Sequence, residues 1–151
     1  MNQVKADIKS YLDRLKKGIN ITKQKLAQDT LIDVVGFSPV WSGAYVESHK
    51  VGLDNIILEH EKPYYGPPFP DKLNEGHALV LKVGVVNDLS PVIDKAEFRN
   101  TIFISNSIPY ANQVEFGGGL TPAYHPYGRA ALKLKAKMFL MAKTNALPNR
   151  K

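Results

Sequence analysis

The chain has 151 residues, a net charge of +6 and no cysteine, and 44% of its residues are hydrophobic. These values exclude disulfides, cysteine-ligated zinc and thiol chemistry, and no apolar run approaches the roughly 18 residues of a membrane span or forms an N-terminal export signal. We therefore predict a soluble, unexported single domain, residues 1–151, of a size that buries about 68–70% of its unfolded surface and has no membrane partner.

The first predicted element is a long amphipathic helix over residues 3–35. Apolar residues recur at steps of three and four from Val4 to Ile32, which places them on one helical face. Such a helix is about 45–50 Å long, longer than the core of a domain this size requires. Part of its apolar face is expected to contact another subunit or to wrap around the chain's own sheet. Gly18 weakens the interior by about 1 kcal/mol relative to alanine and leaves one or two helices open.

The middle of the chain, residues 43–106, predicts about four short antiparallel strands. They lie at residues 44–51, 55–59, 78–86 and 100–106, the first two as a hairpin. Residues 62–71 carry four prolines and three aromatic residues, which predicts a stiff exposed loop, either a docking arm or a packed connection. Residues 90–99 predict a short helical or irregular segment.

Two helices complete the predicted chain. Pro109 suits the start of a short helix over residues 109–116, and Gly117 begins the glycine triplet that ends it. Residues 128–142 form an amphipathic helix with basic residues opposite its apolar face. The fold class is therefore α+β, with a long N-terminal helix, an antiparallel sheet of about four strands, and a short and a C-terminal helix packed on one face.

Three short motifs carry a resemblance to known proteins. They are P-V-W-S-G from Pro39 to Gly43, Y-A-N-Q-V-E-F-G from Tyr110 to Gly117, and the looser P-Y-G-R-A-A-L from Pro126 to Leu132. In this order and spacing the chain resembles the tail-component, tail-completion or neck proteins of tailed bacteriophages, the family that includes the lambda minor tail protein Z type. Ser42 stands where that family usually has threonine.

The resemblance implies a structural virion protein and not an enzyme. Its subunits would form a homo-oligomeric ring at the neck or the head-proximal tail end, in tail completion or head–tail joining. The implied partners are other copies of the chain, other neck, connector or tail proteins, and DNA that passes through the ring. The implied localisation is the virion, after assembly in the host cytoplasm. The structural or interface candidates are the motif residues Pro39, Gly43, Tyr110, Val114, Glu115, Phe116 and Gly117.

Charge is distributed unevenly along the chain. Up to Glu115 there are 13 basic and 14 acidic residues, and after it there are seven basic residues and no acid. In this basic segment Arg129, Lys133 and Lys137 are candidates for contact with DNA or an acidic protein, or they line a solvated helix face. The alternative function is a small basic nucleic-acid-binding protein that uses its C-terminal helix.

The residue types that carry chemistry form no recognised pattern. His60 lies between two glutamates, but in a strand its side chain points away from theirs, and there is no H-x-x-x-H or H-E-x-x-H motif. His49 and His125 are isolated in the sequence. Glu115 has no partner acid, so we predict a structural role in which it accepts backbone N–H bonds from the glycine turn. We predict no catalytic, cofactor or metal site.

Overall fold

The structure is a computed structural model that describes residues 2–41, 43–59, 75–118 and 122–146. Its elements in chain order are α1 (Asn2–Phe37), α2 (Ala44–Glu47), β1 (His49–Leu53), α3 (Glu75–Asp94), β2 (Ile102–Asn106), α4 (Ala111–Phe116) and α5 (Pro126–Ala146). The α+β class and the long first helix, short helix and C-terminal helix are confirmed. The predicted loop at residues 62–71 lies outside the described residues.

Helix α1 is a single element of 36 residues, about 54 Å long. Gly18 does not interrupt it, and the Thr22 hydroxyl donates to the Gly18 carbonyl at 3.1 Å. At the other end, the N–H of Ser38 donates to the carbonyls of Val34 (3.1 Å) and Val35 (3.2 Å). These bonds satisfy terminal carbonyls that would otherwise lack a partner, and Pro39 then prevents the helix from continuing.

The sheet has two antiparallel strands in the part of the chain that the structure describes, so the prediction of four strands is wrong there. Strand β2 confirms the predicted strand at residues 100–106, whereas the predicted strand at 44–51 is divided between α2 and β1. Residues 55–59 form no strand. Asp54 turns at φ 63°, and its carboxylate accepts bonds from the Thr101 N–H (2.7 Å) and the Asn100 amide (2.6 Å). These contacts hold the turn against the start of β2 instead of allowing a local hairpin.

The region predicted as the third strand, residues 78–86, lies inside α3, so that prediction is wrong. Valine favours strands, but Leu81, Val85 and Leu89 recur every four residues and pack against the core. Burial of this helical face outweighs the local preference. The helix also continues through Pro91 to Asp94, so the first part of the segment predicted at residues 90–99 belongs to α3.

The main core lies between α1, α3 and one face of the sheet. Its buried members are Leu31, Val35, Val46, Val51 and Ile93. Because Val51 pairs with Ile104 and Leu53 with Ile102, these side chains share the core face. Lys50, Gly52, Phe103 and Ser105 therefore lie on the opposite face. Residue 57 lies over that outer face, where the Ser105 hydroxyl donates to the Ile57 carbonyl at 2.9 Å.

Polar side chains near the middle of α1 bind the backbone that follows α3. The Lys23 ammonium donates to the carbonyls of Glu97 (2.5 Å), Phe98 (3.2 Å) and Asn100 (2.9 Å). The Asn20 amide donates to the Ala96 carbonyl at 2.9 Å. From residue 4 to residue 19 every side chain of α1 is exposed, so these bonds mark where packing of α1 begins.

Candidate functional site

The carboxylate of Glu115 holds the beginning of α5. Its Oε2 accepts the N–H of Tyr127 at 3.0 Å and its Oε1 accepts the N–H of Gly128 at 2.8 Å. The first N–H groups of a helix have no partner within the helix, and a negative charge there also interacts favourably with the helix dipole. Glu115 thus accepts backbone N–H bonds as predicted, but the donors belong to α5 and not to the glycine turn. Because Glu115 precedes these two donors by 12 and 13 residues, no local sequence pattern indicates the contact.

The motif around α4 packs as its spacing predicts. Val114 is buried in a second cluster with Tyr45 and Ile108, and Tyr110 packs against it. The helix begins at Ala111, two residues after the predicted start at Pro109. Phe116 points outward with 72% of its surface exposed. Among the motif residues, Phe116 is therefore available for contact with another molecule.

Glycine has a backbone role at two of the predicted positions. Gly117 ends α4 at φ 80°, and its N–H donates to the Gln113 carbonyl at 2.8 Å. Gly43 is buried and begins α2 at φ 87°. Both φ values lie in the left-handed region, which side chains with a Cβ rarely adopt. Pro39 is half-buried between α1 and this turn.

The three candidate residues of the basic segment all contact α1. Lys133 pairs with Asp33 at 2.8 Å, and Lys137 pairs with Asp29 at 3.1 Å. The Arg129 guanidinium lies 4.0 Å from the centre of the Phe37 ring, a favourable cation–π distance. Hydrogen bonding to Asp29 raises the pKa of Lys137. The two lysines thus pair with acids of the first helix and Arg129 lies over an aromatic ring of it, so all three residues join α5 to α1.

A buried polar network is centred on His49, and the sequence does not predict it. The ring Nε2 lies 2.8 Å from the Ser38 hydroxyl, and Nδ1 lies 2.9 Å from the Tyr127 hydroxyl. Since the Ser38 hydroxyl donates to the Val34 carbonyl at 2.7 Å, Nε2 carries the proton and Nδ1 accepts from Tyr127. Strand alternation offered one signal, because His49 shares the inward face with Val51.

The environment of this network keeps the imidazole neutral. Burial lowers the pKa of His49 to about 4, the charge of Lys82 also lowers it, and a backbone hydrogen bond of Ser105 raises it. Burial likewise raises the pKa of Tyr127, as does the nearby Tyr45. Ser38 and His49 are each only 2% exposed, so a substrate has no access to this serine–histidine pair. The network joins α1, β1 and α5 within the core.

The remaining histidines stand apart from one another. His77 and His125 are exposed, and His125 adopts φ 51°, as expected for a turn residue. His60 is outside the described residues. In the part of the chain that the structure covers, no group of three metal-binding side chains occurs.

An exposed apolar surface follows the first half of α1. It comprises Val4, Ile8, Tyr11, Leu12, Leu15 and Ile19, which are 44–62% exposed. At about 100° per residue these side chains lie on the same side of α1 as Asp29 and Asp33, which contact α5. The face that α5 covers near the C-terminus of α1 therefore continues uncovered toward its N-terminus.

Comparison with known proteins identifies no relative of this chain. No family model, curated protein or solved structure matches the chain. Among the described helices, none combines the length and apolar character that crossing a bilayer requires.

Proposed function

We propose that the chain is a structural subunit of a tailed-phage virion. It would form a ring at the neck or the head-proximal end of the tail and act in tail completion or head–tail joining. The three motifs that carry the resemblance support this proposal, because each has a structural task in the fold. Gly43 begins α2, Tyr110 and Val114 pack the second cluster, and Glu115 holds α5.

The observation that carries the proposal is the uncovered apolar face of α1. Val4 is 62% exposed and Ile19 is 55% exposed, at the two ends of a stripe that is about 22 Å long. Contiguous exposed apolar surface of this kind is typical of protein interaction sites, and its burial contributes about 25 cal/mol per Å². Contact with a neighbouring subunit would remove this surface from water.

A ring also requires contacts that close around an axis. Copies in a ring contact each other through two different patches on opposite sides of the subunit. The uncovered face of α1 supplies one patch, and the exposed Phe116 with the outer face of the sheet supplies candidates for the other. The proposed partners are therefore further copies of the chain, the adjoining neck, connector or tail proteins, and DNA in the central passage.

Nucleic-acid binding is the second candidate. Its best candidate for contact with phosphates is α1 rather than α5. Lys133 and Lys137 pair with acids of α1, which lowers their value as phosphate contacts. The first 25 residues, in contrast, contain seven basic and two acidic residues. A basic helix of this kind could contact phosphates directly.

One experiment separates the two candidates. Native mass spectrometry of the purified chain should find a closed oligomer whose subunit number does not change when DNA is added. Ile8→Glu should yield monomers, because it places a charge in the apolar interface. Lys9→Gln changes the net charge by the same amount beside the stripe and should assemble like the wild type. A chain that is monomeric alone and gains mass only with DNA would support nucleic-acid binding instead.

A second experiment tests the place in the virion. In a phage whose copy of the gene carries an early stop codon, we expect DNA-filled heads and separate tails, because the joining ring is missing. Supplying the wild-type chain should restore infectious particles, and supplying Ile8→Glu should not. Normal yield of infectious particles without the chain would contradict the proposed function.

A further inference from the structure

An open groove of about 1210 Å³ lies between α1, β2 and α5. Its floor is the face of α1 from Tyr11 to Thr30, and its walls are β2 and the middle of α5. The apolar lining includes Leu15, Ile19 and Leu26 from α1, Ile102 and Ile104 from β2, and Met138 from α5. Ile102 and Ile104 also pack against the main core. The groove is thus an open edge of that core, continuous with the uncovered face of α1.

The charges at the groove are positive. Arg14 and Lys23 lie in its lining, and no acidic side chain does among the residues that the structure describes. An occupant should therefore be apolar and should carry negative charge.

Within the described part of the chain, the exposed segment at residues 56–59 meets both conditions. Ile56 is 54% exposed and Leu58 is 71% exposed, and the exposed Glu59 follows directly. Two other exposed apolar surfaces, on the first half of α1 and on α5, carry mainly lysine and arginine. Either of them would bring like charges together at the groove, which is unfavourable.

The segment and the groove lie on opposite sides of the sheet. Ile102 and Ile104 face the groove, and Ile57 lies over the other face, next to Gly52 and Ser105. A segment on one side and its receptor on the other give a head-to-tail contact, the type from which rings are built. Four extended residues span about 13 Å, which fits within the approximately 28 Å of the α1 floor.

We propose that the groove between α1, β2 and α5 of one copy binds residues 56–59 of the next copy. Ile56 and Leu58 enter the apolar floor, and the Glu59 carboxylate lies beside the Arg14 guanidinium. This contact rests on the ring proposed above and assigns its two complementary surfaces.

Cysteine cross-linking tests the placement, since the chain has no cysteine of its own. Leu15→Cys and Leu58→Cys are made as separate variants, mixed and oxidised, and the products are separated by mass. We expect a disulfide dimer in the mixture and none from either variant alone. The matched control pairs Leu15→Cys with Leu79→Cys, because Leu79 is 64% exposed on α3 but lies outside the proposed contact.

The two ways of failing are distinct in this experiment. A ring-sized wild type in which Leu15→Cys links to itself, or links to Leu79→Cys as readily as to Leu58→Cys, overturns the placement and leaves the ring intact. A wild type that stays monomeric at every concentration overturns the ring, and with it the proposed function.

Charge reversal tests the ion pair. Glu59→Arg and Arg14→Glu should each raise the dissociation constant of the subunit contact about fivefold, because each brings like charges together. The double variant should restore most of the wild-type affinity. Glu75→Arg, an exposed acid on α3, is the control and should have no effect. Equal loss in both single variants without recovery in the double variant would overturn the pairing of Glu59 with Arg14.

Discussion

The two halves of α1 both carry apolar residues at helical spacing, but they lie in opposite environments. Leu31, Val34 and Val35 are at most 1% exposed between α3, α5 and the sheet, whereas every described side chain from residue 4 to residue 19 is exposed. The polar bonds of Asn20 and Lys23 to the backbone after α3 mark the change. Apolar residues at helical spacing thus predict the helix but do not show which of its segments the monomer will bury.

The largest effect on stability is expected in the packed half of α1. Leu31→Ala should lower the free energy of unfolding by about 2–5 kcal/mol, because it leaves a cavity in the core. Ile8→Ala should change that of the monomer by less than about 0.5 kcal/mol. Urea unfolding below the concentration of assembly measures both. A similar loss for both variants would mean that the first half of α1 is packed within the monomer.

The pH dependence of stability probes the packed region alone. His49 has its pKa lowered to about 4 from 6.5, so the folded state binds fewer protons than the unfolded state between these values. Stability should fall as pH decreases from about 6.5 to about 4, by about 3 kcal/mol in total. In His49→Gln this component should be absent when unfolding is measured across that range. An unchanged slope would show that another group titrates.

Removing the hydrogen bonds from Glu115 to α5 should make the packed half of α1 less protected and thus more like the exposed half. Glu115→Ala deletes both acceptors of the α5 N–H groups and should cost about 1–2 kcal/mol. Glu115→Gln keeps one carbonyl acceptor and should cost about half as much. Hydrogen exchange should accelerate at α5 and on the packed half of α1, while residues 4–19 remain unchanged. Faster exchange confined to α4 would contradict this role of the carboxylate.

The smallest effect on stability is expected at Gly18, close to the point where the exposed half of α1 meets the packed half. Gly18→Ala should stabilise α1 by up to about 1 kcal/mol, since nothing lies within 4 Å of the added Cβ. Gly52→Ala is the contrasting variant, because its Cβ would overlap the Asn55 carbonyl oxygen. It should destabilise the protein. Circular dichroism during thermal unfolding distinguishes them, and destabilisation by Gly18→Ala would point to a close contact at that position.

The elements that could be predicted from the sequence are those with an unambiguous period. Helices α1 and α5 show steps of three and four, and β2 is a short β-branched run. Residues 78–86 resemble a strand in the sequence, because a valine-rich run fits a buried strand as well as a buried helix. The helix is favoured because Leu81, Val85 and Leu89 all pack against the core. That packing depends on the rest of the fold and cannot be read from the local sequence.

The candidate site could be predicted as a set of motif residues but not as a set of partners. Tyr110, Val114 and Gly117 behave as their local spacing and backbone chemistry require. The partner of Lys133 lies 100 residues away along the chain, so counting charges within the C-terminal segment could not reveal it. The neutral state of His49 similarly depends on burial by α1 and α5, which no local pattern expresses.

The bond of Glu115 to α5 predicts how relatives of this chain should diverge. A Cβ at position 128 would lie 3.1 Å from the Glu115 Oε1, so a larger residue there would displace the carboxylate by a few tenths of an ångström and disturb its bonds to α5. The two positions lie in different motifs and belong to different helices. Homologous chains that replace Gly128 should therefore also replace Glu115, and the two motifs should be inherited as one unit.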